Sequence, residues 1–127
     1  MKAKFSTAWK ASSQPRKQRK YTANAPLHTK GHLLSVHLSK LLREKHKMRN
    51  IRVRTGDKVK VLRGAFKGIE AKVERVDIKE TRVFLGKAQQ TKRDGSKVQV
   101  GIHPSNMMIT ELNLDDKKRK AKLAREA

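Results

Sequence analysis

The chain contains no cysteine among its 127 residues. Disulfide bonds and thiolate-bound metals, which reinforce many small secreted domains, are therefore excluded, and the sequence is compatible with a reducing compartment. Histidines are present, but no pair of them is accompanied by carboxylates that would complete a four-ligand site. We predict no metal site and no cofactor. The five histidines are His28, His32, His37, His46 and His103.

Long apolar runs are missing as well. No stretch approaches the roughly 20 residues that span a bilayer, and residues 1–20 lack the apolar segment of a signal peptide. We expect neither secretion nor contact with a membrane. A transit peptide is the alternative interpretation of this acid-free stretch, but its basic residues cluster at Arg16–Lys20 instead of following one helical face.

Acidic residues are scarce, with 11 Asp and Glu against 33 Lys and Arg, which gives a formal net charge of +22. A compact chain with this charge repels itself, so a partner that neutralises it is expected. Cations bound to phosphates release condensed counterions, which gives an affinity that needs no base sequence and falls steeply with salt. The composition therefore predicts a protein that binds nucleic acid.

Groupings typical of enzymes are absent too. Catalysis needs a nucleophile, acid or base that a second group positions, whereas the acids between Glu70 and Glu80 stand beside lysines and arginines, as in solvated ion pairs. Gly64 and Gly68 lack the spacing of a Walker loop or of a dinucleotide fingerprint. We expect neither an enzyme nor a small-molecule substrate.

Both ends of the chain are strongly basic. Residues 1–30 hold eight basic side chains and no acid, and Pro15 and Pro26 interrupt any helix. Such a segment buries too little apolar surface to offset its ordering entropy, so we predict an arm that is extended or disordered until bound. Residues 113–127 form a basic tail, and two aspartates near its start favour a helix there.

Residues 31–50 predict a short amphipathic helix. Leu34, Leu38, Leu41 and Leu42 recur with the spacing of one helical face, so we place the helix from Ser35 to His46. Its exposed face is basic, and a helix of this length is weak in isolation.

Residues 51–112 predict a mainly β fold, because apolar and polar residues alternate there and the charge is more balanced. We predict a small antiparallel barrel of about five strands, near 58–62, 69–77, 81–86, 97–102 and 107–112. The connection at 103–106 contains Pro104, which is poorly suited to a strand. The glycines expected in turns are Gly56, Gly64, Gly68 and Gly95.

The segment Gly56–Val73 resembles a KOW motif, with Gly68 at the position of its hallmark glycine. KOW motifs occur in ribosomal proteins and in transcription elongation factors. Several separate blocks, in the right order, resemble the archaeal and eukaryotic form of large-subunit ribosomal protein L twenty-four over roughly residues 14–122. These blocks are Pro15–Lys20, Pro26–His28, His37–Lys45 and Val100–Asn106.

The resemblance implies an SH3-like barrel that binds the 5′ region of large-subunit rRNA, acts early in assembly and sits near the polypeptide exit tunnel. The implied partners are this rRNA and neighbouring large-subunit proteins, in cytoplasmic ribosomes. Two alternatives stay open. A KOW-type elongation factor would act on RNA polymerase and normally bring a second α/β domain, while a DNA-compacting protein would bind duplex DNA equally well.

Carried onto this chain, the resemblance assigns rRNA contacts to the arm, the helix and the motif loop. These residues are Arg16, Lys17, Arg19, Lys20, Lys40, Lys45, Arg63, Lys67 and His103. Further candidates for RNA contact are Lys30, His32, Arg49, Arg52, Arg54, Lys92, Arg93, Lys117, Lys118 and Arg119.

Three aromatic residues, Phe5, Trp9 and Tyr21, are interleaved with the basic residues of the arm. This combination can neutralise phosphates and stack on bases. Equally open alternatives are that Trp9 fills a crevice on a neighbouring molecule or is simply mobile.

Overall fold

The computed structural model describes residues 5–6, 8–9 and 12–126; the predictions that fall on residues 1–4, 7, 10–11 and 127 lie outside this description. Its helices are α1 (Pro15–Asn24), α2 (Leu27–Leu33), α3 (Lys40–His46), a 3-10 helix (Pro104–Asn106) and α4 (Lys117–Glu126). Its strands are β1 (Ser35–Leu38), β2 (Asn50–Arg52), β3 (Lys58–Val61), β4 (Glu70–Asp77), β5 (Arg82–Thr91), β6 (Lys97–Ile102) and β7 (Met107–Glu111).

The strands form one mixed sheet in the order β2-β1-β7-β3-β4-β5-β6. All neighbours are antiparallel except β1 and β7, which run parallel, with His37 opposite Met108. The sheet curls, because the segment after β2 lies beside β4: Gly56 N donates to Val73 O at 2.9 Å, and Val73 N donates to Asp57 O at 2.8 Å.

Alternation along the strands builds the core inside this curl. In β3, Val59 and Val61 are buried, while the alternating Lys58 and Lys60 are half-exposed. In β1, Val36 and Leu38 are likewise buried and alternate with half-exposed residues. Successive strand side chains point to opposite faces, so each of these strands contributes one apolar row. The rows meet in a single buried cluster to which Leu123 of α4 also belongs.

The mainly β fold is confirmed, but the predicted five-stranded SH3-like barrel is wrong. Seven strands occur in the described part of the chain, and their order is that of an open sheet with β2 and β6 as its edges. The five predicted strands correspond to β3 through β7, with β5 extending to Thr91. The two additional strands precede them in sequence, so the sheet starts at Ser35 and not at residue 51.

The predicted helix from Ser35 to His46 is wrong in its first half. Ser35–Leu38 is β1, and only Lys40–His46 is helical. The leucine spacing led to a wrong prediction, because Leu34 and Leu38 are buried in the core beneath the sheet and not along one face of a helix. Leu41, which the helical pattern placed inside, is 79% exposed.

The predicted extended arm is wrong from residue 15 onward, where α1 and α2 form. Pro15 occupies the first turn of α1, where a missing N–H costs no hydrogen bond. Pro26 precedes α2, and its carbonyl accepts from Thr29 N and Lys30 N at 3.0 Å each. Both prolines therefore mark helix starts, which the sequence interpretation took for interruptions.

The turn glycines are placed as predicted, with positive φ at Gly56, Gly64, Gly68 and Gly95. At Gly95 the hairpin between β5 and β6 closes, with Lys92 N donating to Ser96 O at 2.7 Å. A φ near +89° is a conformation that side chains with a Cβ rarely adopt.

Two of these glycines allow a matched comparison of stability. Gly56 and Gly68 have φ of +89° and +88°, but a Cβ at Gly56 would lie 2.5 Å from Nδ2 of Asn113, whereas a Cβ at Gly68 meets nothing within 4 Å. We expect Gly68→Ala to cost about 1–2 kcal/mol through backbone strain alone. Gly56→Ala should cost more, because the Asn113 side chain must also move. Urea unfolding of both variants measures the difference, and equal losses would contradict the steric contribution.

Candidate nucleic-acid interface

The first 56 residues carry 15 lysines and arginines and a single acid, Glu44. They supply α1, α2, α3 and the two strands at one edge of the sheet, β2 and β1. Helix α2 contacts β2 and helix α3 contacts β1, so these two helices lie at this edge of the sheet. We call the described part of residues 12–56 the basic end.

Helix α1 carries four of the predicted site residues. Arg16, Lys17, Arg19 and Lys20 are all exposed, and α1 contains no acidic residue. At 3.6 residues per turn these positions cover a broad arc of the helix. An unpaired cationic arc of this kind suits contact with several phosphates.

A cleft of about 680 Å³ separates α1 from the turn between β4 and β5. Arg19 and Lys30 line it on one side, and Lys79 and Glu80 line it on the other. Nζ of Lys30 donates to the carbonyl of Lys79 at 3.2 Å. Lys79 was not predicted as a site residue, because its neighbours Asp77 and Glu80 made it look like half of an ion pair. Only the fold reveals its place beside Arg19.

The edge of the sheet adds further exposed cations. Lys40 and Lys45 of α3 and Arg49 before β2 are exposed, and the imidazole of His32 in α2 is exposed beside them. Arg52 is exposed as well, but its guanidinium lies against α2, where a Cβ on Gly31 would be 2.7 Å from Nη1. Part of the Arg52 side chain therefore packs against the protein and not against a ligand.

The motif loop between β3 and β4 forms a second group of predicted residues. Arg63 and Lys67 are exposed there, and Leu62 N donates to Asn106 O at 2.7 Å. This bond holds the loop beside the 3-10 helix that follows His103. The structure therefore places the motif loop beside the turn that begins at His103.

His103 is held by its own turn. Its Nδ1 accepts from Ser105 N at 3.2 Å and lies 2.8 Å from Oγ of Ser105, so a neutral ring carries its proton on Nε2. Burial lowers the pKa of His103, and the Arg82 charge lowers it further. At neutral pH this histidine is thus an uncharged donor and not a cation.

The lowered pKa of His103 predicts a pH effect. Protonation of His103 is less favourable in the folded state than in the unfolded state. The free energy of unfolding should therefore fall as the pH drops from 6.5, the ordinary histidine pKa, toward the lower pKa of His103 in the folded protein. His37 and His46 share this direction, mainly through burial. NMR titration of the His103 ring should give a midpoint below 6.5, whereas a midpoint above 6.5 would contradict the assignment.

The β5–β6 hairpin places Lys92 and Arg93 at its exposed tip. Asp94 lies between them and the turn glycine, and hydrogen bonds from Ser96 lower its pKa, so it stays charged. In the sheet order β6 is the edge opposite β2. These two cations are therefore not part of the basic end.

Arg119 requires a correction, because its side chain is buried and unavailable to RNA. Its guanidinium forms a two-pronged ion pair with Asp57, with Nη1 to Oδ1 at 2.6 Å and Nη2 to Oδ2 at 2.7 Å. The same nitrogens donate to the carbonyls of Asn113 and Arg52. From the sequence, Arg119 was predicted to be one of a run of exposed cations. Its partner Asp57 could not be recognised there, because the two residues meet only in the folded chain.

The other tail residues remain at the surface. Lys117 and Lys118 are exposed in the first turn of α4, where Oδ1 of Asp116 accepts from Lys118 N at 3.0 Å and caps the helix. Arg54 forms an ion pair with the same aspartate, so its charge is already partly neutralised.

One face of the sheet contrasts with the basic end. Lys58 and Glu111 pair at 2.9 Å across β3 and β7, and Lys60 and Glu70 pair at 3.5 Å across β3 and β4. The hydrogen bond and charge of Glu111 raise the pKa of Lys58. We call the surface formed by Lys58, Lys60, Lys72, Lys87, Glu70, Glu74 and Glu111 the mixed face.

Neither a metal cluster nor a membrane-spanning helix is found where the chain is described. Within residues 5–6, 8–9 and 12–126, no three His, Asp or Glu side chains are grouped to hold a metal ion. In the same part of the chain, no helix has the length and apolar character needed to cross a bilayer.

A small mainly β scaffold with a cationic end of this kind is typical of proteins that bind structured RNA. A family model described as the ribosomal proteins L26 of eukaryotes and L24 of archaea matches residues 12–126. The chain belongs to this family, which confirms the predicted membership. It is a ribosomal protein of the large subunit and is located in the ribosome, in the cytoplasm. This family is not an enzyme class.

Three archaeal relatives named "Large ribosomal subunit protein uL24" are each 50% identical to the chain. The protein of Methanosphaera stadtmanae aligns over 114 residues, 90% of this chain and 97% of its own length. That of Methanocorpusculum labreanum aligns over 113 residues, 89% and 93%. That of Methanospirillum hungatei aligns over 115 residues, 91% and 96%. These matches favour the ribosomal interpretation over the elongation factor.

Proposed function

We propose that this protein binds large-subunit rRNA through its basic end and has no catalytic role. The observation that carries the proposal is the exposed cationic arc of α1, a helix without acidic residues, beside a cleft in which Arg19, Lys30 and Lys79 outnumber the single acid Glu80. Phosphates that converge in folded RNA repel one another, and cations placed between them lower that repulsion.

The proposed contacts comprise three groups held by one scaffold. The first is α1 with the α2–α3 edge, the second is the motif loop with Arg63 and Lys67, and the third is the hairpin tip with Lys92 and Arg93. A packed sheet fixes the distances between these groups, so phosphate contacts set the register of the protein on the RNA. The mixed face, whose acids would repel phosphate, is expected to point away.

Following the family resemblance, we further propose that the bound RNA is the 5′ region of the large-subunit rRNA, that binding is an early assembly step, and that the site is near the polypeptide exit tunnel. Neighbouring large-subunit proteins are the other proposed partners. The net charge of +22 supports an assembly role, since neutralisation by RNA removes self-repulsion from both molecules.

Crosslinking in cells followed by sequencing of the bound RNA tests this function. Reads confined to one region of large-subunit rRNA are expected. Reads spread over unrelated transcripts, or recovery with RNA polymerase instead of large subunits, would overturn the proposal. A competition titration between rRNA and duplex DNA of equal length separates RNA binding from general DNA compaction, because only the latter predicts equal competition.

A further inference from the structure

The N-terminal segment packs its two aromatic residues against α1. The rings of Phe5 and Tyr21 have centroids 4.8 Å apart at 43°, and those of Trp9 and Tyr21 are 5.1 Å apart at 33°. These distances are typical of attractive aromatic pairs. Trp9 therefore has a partner within its own chain, and Tyr21 is the centre of the cluster.

This aromatic cluster is not part of the core. Phe5, Trp9 and Tyr21 are all half-buried, and none of them belongs to the buried cluster inside the sheet. Ring surface thus stays open to solvent beside basic residues, where a ligand can reach it. The family match begins at residue 12, so Phe5 and Trp9 lie before the matched region.

The rings border an open cleft of about 270 Å³. Among the residues that the structure describes, its remaining lining is Ser6 together with Lys17 and Lys20 from successive turns of α1. This described lining combines flat apolar walls with two ammonium groups and includes no acid. An aromatic platform flanked by cations matches a nucleotide, whose base stacks while its phosphate binds the cations.

We propose that this cleft binds one unpaired nucleobase of single-stranded RNA, stacked on Trp9 and Tyr21, with the adjoining phosphates on Lys17 and Lys20. The inference rests on the proposed rRNA binding and adds to it, since it assigns an unpaired nucleotide to a site where the other contacts need only phosphates. A base that is already unpaired enters without the loss of pairing.

Trp9 is the single tryptophan of the chain, so its fluorescence reports on this cleft alone. Titration of the full-length protein with a ten-nucleotide oligoadenylate should quench the emission as a base stacks on the indole. An abasic ribose-phosphate oligomer of the same length is the matched control. It retains the phosphates, so it should bind more weakly and leave the emission nearly unchanged.

Two substitutions test the stack by anisotropy of a labelled oligoadenylate. Trp9→Leu removes the ring and should weaken binding by roughly tenfold, a typical stacking contribution for one base. Trp9→Phe keeps an aromatic ring and should lose less. Affinity for the abasic oligomer should change little in either variant. Phe84→Leu, which removes a half-buried ring from β5, outside the three proposed contact groups, is the control for general loss of an aromatic residue.

The outcomes separate this inference from the proposed function. If labelled large-subunit rRNA binds with steep salt dependence while Trp9 emission stays unchanged and Trp9→Leu binds normally, stacking is overturned and rRNA binding stands. If rRNA fails to bind, the proposed function itself fails. If Trp9→Leu weakens oligoadenylate and abasic oligomer equally, Trp9 only holds the segment in place and the base site is overturned.

Discussion

Replacing Asp57 with alanine is expected to destabilise the protein by about 3–5 kcal/mol, the usual loss when one partner of a buried ion pair is removed. The carboxylate is fully buried and its two oxygens face the two terminal nitrogens of Arg119. Without it the Arg119 charge stays buried and unpaired.

The same carboxylate also holds two backbone segments. Oδ2 accepts from Arg54 N at 2.9 Å, and Oδ1 accepts from Asn113 N at 2.8 Å. Asp57 therefore joins the segment after β2, the segment after β7 and helix α4 at one point. Its loss should loosen α4, whose Leu123 is part of the core.

Urea unfolding of Asp57→Ala and Arg119→Met, alone and combined, measures this effect. The two single losses should not add, because each variant removes the same ion pair. Asp115→Ala is the matched control, since Asp115 is an exposed aspartate in the segment between β7 and α4, and it should change stability by no more than about 0.5 kcal/mol. A loss below about 1 kcal/mol for Asp57→Ala would show that the pair does not anchor α4.

Neutralising the cationic arc of α1 is expected to weaken rRNA binding by about 10²–10³-fold at 0.15 M salt. The variant combines Arg16→Gln, Lys17→Gln, Arg19→Gln and Lys20→Gln. Each lost phosphate contact lowers the slope of log affinity against log salt by about one. All four side chains are exposed, so the fold should be retained.

The mixed face supplies the control with the same change in net charge. Its variant combines Lys58→Gln, Lys60→Gln, Lys72→Gln and Lys87→Gln, all close to acids. Anisotropy titrations of labelled rRNA over a series of salt concentrations should give a near-normal slope for this variant. Equal slopes for both variants would mean that net charge alone, and not the location of the cations, governs binding.

Strand and turn positions in the β region were predictable because their signals are local. The alternation at Val59 and Val61 predicted β3, and the Asp94-Gly95 pair predicted the hairpin turn. β1 was missed since the leucines around it also fit a helical period, and its partner β7 lies far along the chain. Pairing between strands so far apart in the sequence cannot be detected from the residue pattern in a short sequence window.

The candidate site was predictable in composition but not in layout. The family resemblance assigned the basic residues of α1 and the motif loop, and those of the tail were added as further candidates; all of them except the buried Arg119 stay predictions. The sequence could not distinguish Arg119 from Lys117 and Lys118, because the three occur in one cationic run. They differ only in whether Asp57 lies within reach. Likewise, Lys79 joined Arg19 in a cleft only when the β4–β5 turn met α1.

The sequence by itself determined the β content and the glycines with positive φ, and its net charge led to the proposal of a polyanionic partner. Period, backbone freedom and net charge are properties of local residues and their sum. In the part of the chain that the structure describes, tertiary contacts alone decided that the sheet is open with seven strands, that Arg119 is a buried anchor, and that Trp9 packs on Tyr21. These three features depend on contacts between residues that are separated along the chain. Such contacts are stabilised by burial and by pairing between two segments, so neither segment predicts them by itself.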